Sequence, residues 1–493
     1  MGQIVVAVFV LKFIQVISFD FIDYDSHAFS AIGHQILNGK KLYQDLWDAK
    51  PPGVYLLNAL AFRVFGAETI AIRILQIVFA GAMVFVTYSI AQKIIRHTAF
   101  AIFTSALCAS VLYFSELFQG GNFTEEYANV FYWTGAVFSV LSVGVRRKDY
   151  LIYSGIAFAV SAFFKEPYFL SVIPWLVFVV LCSEPKNRRR KFVKLSIGLF
   201  IPFLAFALAF ALEGGLLSYW KHLVYNFAYS GAENISTWTK IENAVVNYFS
   251  LFGSIHTALP YIPVIGVLGF FNRQSRMRFL TLILILVLLS NMYIISLSGY
   301  IFRHYYLQVV PTVFFLCLVG LATIWEMSLN SISKLRFGKS IVSCLFVGMG
   351  IWGLLSENAF LKTEDPKKIE AFRSALVVKV AQRQFKVDRT LYVDDIAYGR
   401  LYVRTGSYTN SYIPIPFFSF FMVNDKYGAE RKEKYVNSLI DQPPNVIVTS
   451  KRRGMLNNHP PLSTWFEENY EEFKQIEGRD SLKVFVYRGV GGT

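Results

Sequence analysis

The sequence predicts a mainly α-helical, polytopic membrane bundle of about 11 spanning helices, followed by a small α/β domain outside the membrane. Three observations carry this expectation. Hydrophobic residues make up 54% of the 493-residue chain and charged residues only 16%, against roughly 25% in soluble domains; the mean hydropathy is +0.43. Apolar runs long enough to cross a bilayer recur along most of the chain. The basic residues gather in short stretches between those runs, as positive-inside sorting of membrane proteins requires.

The runs fall near 2–19, 67–92, 98–116, 126–145, 150–165, 167–183, 192–212, 257–271, 279–298, 305–325 and 341–358. The first is read as a retained helix, because Lys12 interrupts it and no small-residue cleavage site follows. The runs at 150–165 and 257–271 are short, which allows them to be tilted, broken or buried. Five basic clusters lie between runs: Lys93/Arg96, Arg146-Arg147-Lys148, Lys186 through Lys194, Arg273/Arg276/Arg278 and Lys334/Arg336/Lys339. Alternating helices put all five on one side, which is then cytoplasmic together with the N-terminus. Loops 20–66, 117–125, 213–256 and 299–304 then face outward, as does everything after residue 358. The localisation that follows is the plasma (inner) membrane, multi-pass. The net charge of +15 is accounted for by these cytoplasmic clusters, and no nucleic-acid-binding motif accompanies it.

Residues 1–358 therefore form the transmembrane domain and 359–493 the extracytoplasmic one. The second part is polar, with strand-like runs at 390–393, 445–448 and 482–487 and amphipathic helices near 366–384 and 428–440. Cys108, Cys182, Cys317 and Cys344 lie in apolar segments as small hydrophobic filler, without a disulfide or zinc-type spacing.

The first outward loop is patterned. Phe29, Ile32 and Ile36 recur at helical spacing and Gly39 stops that helix. A second short helix follows Pro51-Pro52, with Val54, Leu57, Ala61 and Val64 on one side. Two amphipathic helices between spanning helices predict elements lying in the membrane surface. They set Asp25 and Lys50 at the water–lipid boundary, where a lipid-linked substrate presents its phosphate. Asp25 has two readings, a helix cap or a general base, and Asp23 is the competing carboxylate. Lys50 is either a solvated loop residue or an anion contact. Asp45 and Asp48 read as turn residues, and His27 and His34 as surface residues rather than metal ligands.

Taken together, Asp25, the helix ending at Asn38-Gly39, Tyr43-x-Asp45, Lys50-Pro51-Pro52 with Tyr55, and Phe65-Gly66 with Arg73 form a specific pattern. It resembles the GT-C membrane glycosyltransferases related to protein O-mannosyltransferases and the lipid A aminoarabinose transferase. Most of the likeness lies in residues 20–92, with support from the helix count, the 299–311 segment and the tail. The resemblance implies an inverting transfer of a sugar from a polyprenyl-phosphate donor to an acceptor outside the membrane. It places the family's aspartate on Asp25, although the acidic residue that usually follows is Ser26 here. It implies a donor-phosphate contact for Lys50 and assigns the acidic residue after the third spanning helix to Glu125, which otherwise caps the next helix with Thr124.

The stretch Gly299 to Pro311 resembles the family's late outward motif, so Arg303, His304 and Tyr305 join Lys50 as donor-phosphate residues, and Asp23 and Glu125 are supporting acids. Ionisable groups at a membrane boundary are costly unless used or paired. Lys165-Glu166-Pro167 marks another outward turn, with two readings, approach to the cavity or an ion pair within the turn, of which the second is the safer. Some relatives bind a divalent ion, but the sequence offers no convincing ligand set. The expected partners are the lipid-linked donor, the bilayer and an acceptor that the sequence leaves open among glycan, lipid and protein. A transporter or flippase of lipid-linked sugars, or a non-catalytic scaffold, are the rival readings; a transporter more often shows repeats and helices broken near the midplane.

Overall fold

The computed structural model describes residues 24–95, 98–143, 150–230, 235–297, 301–332, 366–385, 390–394, 401–409, 426–450, 460–476 and 482–490, with isolated positions between and before them. The expected span at 341–358, nearly all of the one at 2–19, the domain boundary at 358 and Asp23 lie outside the described residues.

In chain order the helices are α1 (Tyr24–Leu37), α2 (Pro52–Phe65), α3 (Thr69–Ile95), α4 (Thr98–Phe114), α5 (Thr124–Ser142), α6 (Leu151–Ala162), α7 (Tyr168–Leu181), α8 (Arg188–Leu212), α9 (Leu216–Ser230), α10 (Thr237–Ile255), α11 (Ile262–Gly266), α12 (Ser275–Ser296) and α13 (Val310–Ile332). The tail follows as α14 (Pro366–Gln384), β1 (Leu391–Val393), α15 (Leu401–Thr405), α16 (Gly428–Ile440), β2 (Val446–Ser450), α17 (Pro460–Asn469), β3 (Tyr470–Ile476) and β4 (Leu482–Tyr487). This is a mainly α, polytopic membrane bundle with a small sheet near its C-terminus.

Among the described residues, four stretches are long and apolar enough to cross a membrane: Thr69–Ile94, Pro185–Leu212, Ser275–Ser296 and Arg303–Ile324. Helices α2, α4, α6 and α7 are apolar but shorter. Along α8 the exposed residues Phe200, Leu204 and Leu208 recur at helical spacing, a stripe that lipid covers without the cost of wetting it. The run at 257–271 is broken: a 3-10 turn at Leu259–Tyr261, the short α11, then a second 3-10 turn at Val267–Phe271. Pro260 and Pro263 each remove a backbone donor and keep a continuous helix from forming.

The chain divides into two compact units. The first gathers Met1–Phe19, Gln76–Leu208 and Asn234–Lys362. Small residues let its helices touch. A Cβ on Gly155 of α6 would stand 2.2 Å from the Leu195 carbonyl oxygen of α8, and one on Gly198 would stand 2.2 Å from that of Ile152. The two glycines thus form a reciprocal crossing of the kind that replaces hydrophobic driving force between helices in lipid.

The second unit gathers Asp20–Leu75, Ala209–Glu233 and Thr363–Thr493. Its sheet has the order β1-β2-β4-β3, with β1 and β2 parallel and the other pairs antiparallel. Ala28 and Ala31 of α1 belong to the same apolar core as Val378, Leu391, Val446 and Val484 of the tail. The Gln35 side chain donates to the Ser407 carbonyl and accepts from the Thr409 amide.

Candidate active site

Helix α1 ends where expected: Gly39, at φ +88°, takes the left-handed conformation that glycine adopts without strain. The helix is covered on more than one side. Phe29 packs edge-to-face on Tyr55 of α2, and Ala28 and Ala31 enter the tail core. His27 and His34 are therefore buried, not surface residues. His34 meets Phe62 edge-on, and burial pulls its imidazole down to about 4, with the Ser407 backbone pulling weakly the other way. In α2 the buried face is Val54, Tyr55, Asn58, Ala61 and Phe62, whereas Val64 is exposed. The inward stripe is thus rotated from the one expected, because Tyr55 and Asn58 are used for buried hydrogen bonds.

Asp25 lies in the first turn of α1 and Lys50 just before α2, and the close packing of the two helices brings them together. Lys50 Nζ is 3.5 Å from Asp25 Oδ2, with the side chains 28% and 30% exposed. Lys50 is therefore neither freely solvated nor buried, and Asp25 faces a cation. The Lys50 carbonyl accepts from the Tyr43 hydroxyl at 2.7 Å.

Asp48 is not a plain turn residue. It is buried, accepting from the Tyr55 hydroxyl at 2.6 Å and from the Ala49 amide at 2.6 Å. Burial pushes its carboxyl above the usual range, and the nearby Asp25 charge adds to this while Tyr55, Ala49 and Lys50 oppose it. Its sequence signal was a carboxylate two residues before Lys50 and seven before a tyrosine. Asp45 does serve as a turn residue, accepting from the Lys41 amide.

Glu125, Arg303, His304 and Tyr305 lie in the first unit. The Arg303–Gln308 turn is fixed by side-chain amides. Asn129 of α5 donates to the Leu307 carbonyl at 2.9 Å, and Asn291 of α12 and Gln308 bond each other's backbone carbonyls. On that turn Arg303 is exposed and paired with Glu116. His304 is buried, its ring stacked on Phe123 at 4.1 Å and edge-on to Tyr305. Glu125 is buried at the start of α5, bonded by the Thr124 hydroxyl and by Lys165 at 2.5 Å. Lys165 pairs with Glu125 across the fold, and its ammonium lies 4.0 Å over the Tyr305 ring. The helix-start contact falls instead to Glu126, which accepts from the Asn122 amide. The sequence marked Lys165 as part of an outward turn but did not link it to Glu125; its signal was a lysine closing an apolar run.

Residues 49–225 match the family model described as dolichyl-phosphate-mannose-protein mannosyltransferase. The match begins one residue before Lys50. Over its whole length the fold is similar to ArnT from Cupriavidus metallidurans bound to undecaprenyl phosphate. The TM-score is 0.62 at 12% identity, covering 100% of this chain and 99% of that one. The apo form of the same protein gives a TM-score of 0.62 at 12% identity, over 100% and 98% of the two chains. No curated protein sequence matches significantly. The chain has the GT-C membrane glycosyltransferase fold. On this GT-C scaffold the Asp25–Lys50 pair sits between the two short helices of the first loop. Among its described residues, no three His, Cys, Asp or Glu side chains gather where they could hold a metal ion.

Proposed function

We propose that the chain is an inverting glycosyltransferase that moves a sugar from a polyprenyl-phosphate donor to an acceptor on the outer side of the membrane. The observation that carries this is the ion pair of Asp25 with Lys50, 3.5 Å apart and partly open to solvent. The family match, which takes in Lys50, and the fold shared with a protein solved with undecaprenyl phosphate support it.

In this mechanism Asp25 accepts the proton of the acceptor hydroxyl or amine as that atom attacks the anomeric carbon. The bond from that carbon to the phosphate oxygen breaks, and polyprenyl phosphate leaves with the electron pair. Lys50 offsets the charge on the departing phosphate. Their separation of 3.5 Å is longer than the roughly 2.8 Å of a tight charge-assisted hydrogen bond. Asp48 suits the base role less: it is buried and already accepts two hydrogen bonds. Arg303, the exposed cation of its turn, and His304 and Tyr305, which are buried there, remain the further proposed donor-phosphate residues. Glu125 supports them by fixing Lys165.

The extracytoplasmic side is taken from the basic clusters, and residues 359–493 are proposed to stand on that side. Mass spectrometry of cell-envelope glycans with and without the protein tests this reading. Loss of one sugar substituent is expected; an unchanged envelope in cells that express the protein contradicts it.

A further inference from the structure

The segment Tyr43–Lys50 has no helix or strand of its own; backbone hydrogen bonds among Lys41, Tyr43, Asp45 and Leu46 close its turn, and side-chain contacts carry it on to Lys50. Tyr43 is a sign of how firmly. Its φ of +63° is unfavourable for a bulky residue and persists only where the surroundings over-determine it. Its ring stacks on His222 of α9 at 4.4 Å, and its hydroxyl donates to the Lys50 carbonyl. Four residues on, Trp47 meets Tyr225 of α9 edge-to-face at 4.7 Å.

The third wall comes from the tail. Arg431 of α16 is buried, with its guanidinium carbon 5.1 Å from the Trp47 ring and 4.7 Å from the Tyr225 ring. Its neighbours on the same turn engage the same parts: Lys434 donates to the Gln44 carbonyl, and Glu430 pairs with Lys221 of α9. A desolvated guanidinium against two aromatic faces is directional, which a plain apolar filler would not be.

We propose that Arg431 is a positioning residue for lipid-phosphate binding: it fixes Trp47 and thereby the place of Lys50. This rests on the donor-phosphate role proposed for Lys50. Through it the tail sets the affinity for the donor.

The test uses the full chain in lipid nanodiscs with undecaprenyl phosphate as the probe, and a melting temperature for every variant. Arg431→Met is expected to weaken binding about tenfold, the scale of one desolvated cation–π contact, with Arg431→Lys, which keeps the charge but not the planar guanidinium, recovering only part of it. Lys50→Gln is expected to weaken binding in the wild type and to add little in Arg431→Met. Unchanged binding in a stably folded Arg431→Met overturns the proposal, as does a loss of binding in Arg431→Met and Arg431→Lys that only tracks their loss of melting temperature. Binding that depends on Lys50 but not on Arg431 overturns this inference and leaves the functional reading standing. Binding indifferent to Lys50 removes that reading and this inference with it.

Discussion

Lys50 and Asp25 neutralise one another across a gap looser than a tight ion pair, and that looseness is where chemistry can enter. If Lys50 holds a departing phosphate, Lys50→Gln should raise the donor KM on the order of 10- to 100-fold, the range for a hydrogen bond to a charged group. Steady-state kinetics with the acceptor held saturating would measure this. His34 gives a prediction of a different kind. Burial lowers its folded-state value to about 4 from 6.5. Between those values the unfolded chain binds a proton that the folded chain refuses, so stability is full above about 6.5 and falls as pH drops toward 4. His34→Gln should flatten the melting temperature across that window, read by thermal unfolding in detergent at stepped pH. At this scale the sequence showed which residue types were present but not their partners. Asp25 and Lys50 were legible because two helix signals bracket them. The pairing of Lys165 with Glu125 was not, because 40 residues separate them and no local pattern encodes so distant a partner.

Among the elements, those with strong local signals were legible. The spans at 67–92, 98–116 and 279–298 appear as α3, α4 and α12 to within a few residues, since hydropathy alone specifies them. Strand β3 was missed: its sequence YEEFKQI buries only its two end residues, as an edge strand with a mostly solvated face can, and so shows no apolar run. The histidines of α1 were misplaced because burial of a helix on several sides depends on chain far away in sequence. The glycine crossing of α6 and α8 makes a prediction here. In Gly198→Leu the side chain would run into the Ile152 carbonyl, and the overlap cannot be relieved without separating the helices. The melting temperature should fall and detergent-solubilised protein should aggregate, as seen by size-exclusion chromatography. A Gly253→Ala control, where a Cβ meets nothing, should change neither.

For the whole molecule, the fold class was readable because a chain with 16% charged residues and repeated apolar runs has few soluble solutions. The contribution of α1 to the tail core was not readable, because nothing local links residue 28 to residue 484. The proposed orientation predicts that a cysteine placed at Lys474, on β3, reacts with a membrane-impermeant maleimide in intact cells whose envelope admits the reagent to the outer face. A cysteine at Lys186 should react only after lysis. The claim on which the rest depends is that Asp25 performs the proton transfer. Its most direct measurement is the transfer rate of radiolabelled sugar from a polyprenyl-phosphate donor by purified wild type and Asp25→Asn. We expect kcat to fall by about 10²- to 10⁴-fold, the usual contribution of a general base, with the donor KM little changed. An Asp25→Asn protein that transfers sugar at the wild-type rate would contradict the account.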